Sequence, residues 1–152
     1  LKRFSQYITE IWDNPFEHDS EPTLKKRGKK QVHVYRFKAG DHPDAPHYDL
    51  EIMHTKNKAD AAFYDEKGGV NMNKAHPRDA HRVIGTAHHI LSKHIAANPD
   101  ITHMTFSSKH GDDGRTKVYH HLARRLSTGK VRAKSDDIDG ETRFTFPVRP
   151  KE

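Results

Sequence analysis

The chain has 152 residues, with 27 Lys and Arg against 21 Asp and Glu, 14 His and no Cys, for a net charge of +6. That length holds one ordinary domain, and the absence of Cys excludes a disulfide framework, a thiolate zinc site and a cysteine nucleophile. No run of roughly 20 apolar residues is present to cross a bilayer as a helix, and Gln6, Thr9, Glu10 and Asp13 fall where a signal peptide needs an apolar core.

The expectation is a protein that is neither exported nor membrane-embedded, with Leu1 leaving open a trimmed or non-Met start. Leu, Ile, Val and Phe total only 28 residues, but the opposite charges nearly cancel. A thin core under a charged surface fits this better than disorder. The net charge and the imidazoles favour anionic partners, more so as pH falls through about 6.5.

Residues 1–12 place Phe4, Tyr7, Ile8, Ile11 and Trp12 on one helical stripe that ends at Asn14-Pro15. Glu17 to Lys30 has no apolar period and contains Lys25, Lys26, Arg27, Lys29 and Lys30, so it reads as a basic arm. Residues 1–30 are accordingly separated from a domain over 31–152. The helix is expected to meet a protein partner or a second copy, and the basic run to offer weak, non-specific nucleic-acid contact.

From Gln31 the period becomes two. Val32 and Val34 alternate with His33 and Tyr35 up to Phe37, and Tyr48, Leu50 and Ile52 alternate with Asp49 and Glu51. Ala61–Tyr64 and Val70–Met72 are further short strands of an antiparallel meander. Residues 79–97 carry Val83, Ile84, Ala87, Ile90, Leu91 and Ile95 at helical spacing and stop at Asn98-Pro99. Ile101–Ser107 is a strand, and 115–126 is a second amphipathic helix with Val118, Tyr119, Leu122 and Leu126. Val131 and Arg143–Val148 complete the sheet.

Arg82-Val83-Ile84-Gly85-Thr86-Ala87 has the R/Q-x-x-G-x-G/A form, and Arg115-Thr116-Lys117-Val118-Tyr119 opens the later helix. Through these motifs, residues 31–148 resemble the GNAT acyltransferase superfamily, and most nearly its small divergent members in tailed bacteriophages. The resemblance implies an α/β (α+β) fold: a GNAT-like, mostly antiparallel mixed sheet flanked by helices, preceded by the N-terminal amphipathic helix and basic arm. It implies acetyl-CoA as cofactor, its diphosphate held by the backbone amides of Arg82, Val83, Ile84, Gly85, Thr86 and Ala87 at a helix start. It also implies Tyr119 as the acid for the departing thiolate, and an acyl-CoA-dependent N-acyltransferase of unassigned acceptor. The alternative is a catalytically silent virion component that associates with virion proteins or DNA. Host cytoplasm or virion is the implied location. The chain departs from the family pattern at Ser107–Gly114 and at Ser127-Thr128-Gly129.

Acyl transfer to an amine also needs a base. Asp49 and Glu51 share one strand face, with His54 and His76 nearby in sequence; Glu51 is the chosen candidate. The histidine spacing argues against a metal: no pair stands at i, i+4, there is no His-Glu-x-x-His, and the doublets His88-His89 and His120-His121 split between helix faces.

Overall fold

The computed structural model describes residues 15–65, 77–109, 113–136 and 140–149. The segment 1–12 and the strand expected at Val70–Met72 lie outside them, as does His76. The elements are Thr23–Arg27 (β1), Lys30–Lys38 (β2), His47–Thr55 (β3), Lys58–Asp65 (β4), Pro77–Ala97 (α1), His103–Lys109 (β5), Asp113–Leu126 (α2), Arg132–Asp136 (β6) and Glu141–Pro147 (β7). The strands form one seven-stranded sheet in the order β1-β2-β3-β4-β5-β7-β6. Adjacent strands are antiparallel except β4 and β5, which run parallel and are joined through α1. A parallel neighbour needs such a crossover, because a tight turn can only return the chain antiparallel.

The register sets which side chains share a face. His33 lies opposite Ile52, Tyr35 opposite Leu50 and Phe37 opposite Tyr48, while Ile52 lies opposite Ala61. Ala61 pairs with Phe106, which pairs with Phe144. This face carries the core, joined by Val83, Ala87, Ile90 and Leu91 of α1 and by Val118, Tyr119 and Leu122 of α2. The Tyr35 hydroxyl meets His94 of α1, and Phe106 stacks on Tyr119 of α2. Both described helices therefore cover the same side of the sheet. Val32 and Val34 are also buried, but on the opposite face, so in β2 the helices pack on Tyr35 and Phe37.

The expected fold class does not hold. Strands predominate in a seven-stranded mixed sheet, with two helices among the described residues, in place of a helix-flanked GNAT-like sheet behind a basic arm; the expected N-terminal helix falls outside those residues. Part of the reason lies in the basic run. Thr23–Arg27 is exposed throughout yet forms the edge strand β1, turned back at Gly28 with φ 63°. Backbone pairing at an edge needs no apolar alternation, and lysines there discourage further strand addition. The glycine supplies the positive φ that a two-residue hairpin requires.

The chain just before β1 also belongs to the fold. Phe16 is buried, its N–H donates to Thr86 Oγ1 at 2.9 Å, and the Arg82 guanidinium lies 3.9 Å above its ring. Asp19 N–H donates to Arg36 O, and Lys38 N–H donates to Glu17 O. Residues 17–19 thus extend the β2 edge, and residues 20–22 intervene before β1.

The C-terminal end of α1 is held by an arginine far away in sequence. Arg149 donates from Nε to Ile101 O at 3.0 Å and from Nη2 to Asn98 O at 2.9 Å and to Ile95 O. A guanidinium satisfies carbonyls that a helix end leaves unpaired and complements its negative dipole end. Arg149→Ala should lower stability by about 2 kcal/mol in urea unfolding. Arg149→Lys should recover only part of it, because one ammonium cannot reproduce the fork.

Candidate functional site

Two features bring chemistry-bearing groups together. The first is a break in the sheet. β4 and β5 pair only from Lys58 with His103 to Ala61 with Phe106. Beyond that point β4 stays paired with β3 as far as Asp65, and β5 stays paired with β7 as far as Lys109. The two strands therefore part company at their C-terminal ends. Each leaves one backbone edge there without a strand partner among the described residues, next to where the chain leaves β4 for α1.

The predicted donor segment sits elsewhere than expected. Arg82–Ala87 lies more than a turn inside α1, which begins at Pro77. Its amides donate along the helix, whereas the unpaired amides of a helix belong to its first four residues. Val83, Ile84, Gly85, Thr86 and Ala87 are buried. Thr86 donates its hydroxyl to Arg82 O at 2.7 Å, and Arg82 is clamped on Asp41 by contacts of 2.6 and 3.1 Å. The Arg82 guanidinium holds the Asp41 carboxyl below the usual carboxylate range. In this conformation the segment is a packing and anchoring element.

Tyr119 is fully buried in α2, stacked on Phe106 with ring centroids 5.1 Å apart and planes 14° apart. Glu51 stands on the face of the sheet away from the helices and accepts from Arg27 Nη2 at 2.7 Å. Asp49 beside it accepts from Arg36 Nε at 3.1 Å. With Arg27 and Tyr64, both carboxylates line a shallow hollow. Tyr119 and Glu51 therefore lie on opposite sides of the sheet, and the fold does not bring them together as an acid–base pair.

The second feature is a cluster of three histidines from three elements. His33 of β2, His54 of β3 and His94 of α1 present ring nitrogens that all lie within 4.8 Å of one another. Their ring centroids are 4.6, 4.9 and 5.0 Å apart. His54 Nε2 and His94 Nε2 are 2.7 Å apart, and His94 Nδ1 is 2.7 Å from the Tyr35 hydroxyl. His33 Nδ1 is buried with no hydrogen-bond partner.

The sheet geometry explains the convergence. His33 lies opposite Ile52, so His54, two residues along, is its diagonal neighbour on the same face. α1 then lays His94, which is 2% exposed, over both.

Burial disfavours the charged form of all three rings. It pushes His94 down to about 4, with His54 and His33 adding to the effect. His54 is lowered by burial and then by His33, and His33 by burial. Burial, with Glu21 adding, raises the Tyr35 phenol and keeps it protonated. At neutral pH the cluster is three uncharged imidazoles with a tyrosine behind one of them.

His33, Tyr35 and His94 open onto a cavity of about 490 Å³. Residues 18–22 form one wall, and Ile90, Lys93 and Ala97 of α1 with Asn98 just beyond it form another. Asp19 and Glu21 add carboxylates to the lining, and Lys93 a cation.

Spacing along the chain argued against a metal but could not register this cluster, whose members are 21 and 40 residues apart. The available signal was an imidazole at an inward position of each of two neighbouring strands, His33 in line with Tyr35 and His54 in line with Ile52. No protein-family model and no curated protein matches the chain.

Proposed function

We propose that the chain is an acyl-CoA-dependent N-acyltransferase that binds its donor where β4 and β5 separate. The observation that carries this reading is the four-residue pairing of β4 with β5, the parallel couple among the described residues, followed by divergence. An extended pantetheine arm carries two amides that can pair with an open strand edge, as peptides do in strand addition. Ligands of open sheets favour the crevice beyond the carboxyl ends of parallel strands. The first turn of α1, starting at Pro77, follows β4 and offers unpaired amides to a diphosphate.

Acetyl-CoA titrated into the full chain by calorimetry should bind at about one per chain, raise the melting temperature by mass action, and be displaced by free CoA. Absence of both heat and melting shift at millimolar acetyl-CoA removes the reading.

A second reading is favoured by Tyr119 and Glu51, whose burial and ion pairing leave the expected acid and base engaged. In it the chain is catalytically silent and serves as a virion component against proteins or DNA, with the exposed β1 hairpin as its basic surface. Donor binding with no acyl transfer to any amine and no free CoA released, together with salt-sensitive DNA binding lost when Lys25, Lys26, Lys29 and Lys30 become Gln, selects this reading over the first.

A further inference from the structure

We infer that His33, His54 and His94 form a binding site for a divalent transition-metal ion, Zn²⁺ in the first instance, with the ion's remaining position facing the cavity beside residues 18–22. Three neutral imidazoles from three elements converge on one point with ligand nitrogens within 4.8 Å. Four-coordinate Zn²⁺ takes imidazole nitrogen at about 2.0–2.1 Å, which sets neighbouring ligand nitrogens about 3.4 Å apart. The cluster spans that value, from 2.7 Å between His54 and His94 to the 4.8 Å limit. Rotations of a few tenths of an ångström to an ångström would complete the geometry.

The chemistry of the donor set agrees. Two imidazole nitrogens 2.7 Å apart need a proton or a cation between them, and His33 Nδ1 is buried without a partner. An ion accepts all three lone pairs at once. With His94 bound through Nε2, its Nδ1–H donates to the Tyr35 hydroxyl, the outer hydrogen bond that fixes the tautomer and orientation of a ligating histidine.

The donors select the metal class. All-imidazole sites suit Zn²⁺, Cu²⁺, Ni²⁺ and Co²⁺, whereas Mg²⁺ and Ca²⁺ require oxygen. Three protein ligands with a fourth position on a cavity is the pattern of an open site, where a closed structural site has four. His33 and His94 line that cavity, and Asp19 and Glu21 outnumber Lys93 among its charged side chains.

The test uses the full chain stripped with EDTA. Zn²⁺ is titrated against a chromophoric chelator at pH 7.5, and Co²⁺ is followed by its visible absorption. One Zn²⁺ per chain, with the intense absorption of four-coordinate Co²⁺, is expected. His33→Asn and His54→Asn, at half-buried positions, should each lose the stoichiometric ion while keeping the wild-type circular dichroism. Tyr35→Phe should weaken binding by about 10–100-fold, and His42→Ala, away from the cluster, should bind as wild type does.

Stoichiometric binding that survives both Asn variants would assign the ion to other histidines and overturn the inference. So would a folded wild-type chain that takes up no ion, or a weak six-coordinate Co²⁺ spectrum. If the Asn variants unfold, the Tyr35→Phe shift and the wild-type Co²⁺ spectrum decide the matter by themselves.

Discussion

Acidification from pH 7 to pH 4 should remove about 3 kcal/mol of folding stability through His94 alone. The native ring is held neutral, its pKa pushed down to about 4 by burial and then by His54 and His33. The unfolded ring has an ordinary value near 6.5. Below that value the unfolded chain binds a proton that the native chain refuses, so the unfolded state gains as pH falls. The contribution is intact above about 6.5, is lost between about 6.5 and 4, and changes little below. His33 and His54 are displaced in the same direction, as are His88 and His89, and steepen the loss.

Urea midpoints measured with EDTA at half-unit pH intervals provide the check. A flat profile across this window would show that the three rings are not buried together. His94→Gln should flatten the profile even if it lowers the stability at pH 7.

Tyr119→Ala should cost about 3–5 kcal/mol, the range for removing a large buried aromatic. Its ring is fully buried and stacked on Phe106, which also meets Phe146 at 5.4 Å. Truncation would open a void where α2 packs on β5 and β7, at the centre of the core. Tyr119→Phe keeps the stack and should cost only about 1 kcal/mol. Chemical denaturation of the two variants beside the wild type reads the difference. A Tyr119→Ala chain within 1 kcal/mol of wild type would place the residue outside the core, while a loss of acyl transfer in a stable Tyr119→Phe chain would restore it as the acid.

Local patterns were legible wherever one face of an element is buried and the chain is contiguous. The stripe Val83, Ala87, Ile90 and Leu91 announced α1, which runs Pro77–Ala97. The alternation of Tyr48, Leu50 and Ile52 announced β3, whose residues alternate between buried and half-buried. β1 was illegible because an exposed edge strand makes no demand on hydrophobic period. Its only local marker was Gly28 among lysines, which reads equally well as a tether. The motif Arg82–Ala87 was visible as letters, but its place within the helix was not. Where a helix begins depends on how the first turn is capped, and α1 starts at Pro77, before the motif.

The amino-acid order by itself marked the elements with a periodic buried face, β2, β3, α1, β5, α2 and β7, and determined a cysteine-free ligand inventory and an excess of positive charge. Those properties follow from composition and from periodicity over a few residues, which act whatever the rest of the chain does. Tertiary structure alone decided the register that puts His33 diagonal to His54, and the crossover that lays His94 upon them. It also decided the short β4–β5 pairing and the burial that strips Tyr119 of solvent. Each of these joins residues tens of positions apart, and such contacts arise from competition among all possible pairings of apolar faces. A histidine carries no local mark of which other histidines it will meet, so the cluster exists only once the sheet has closed and α1 has packed against it.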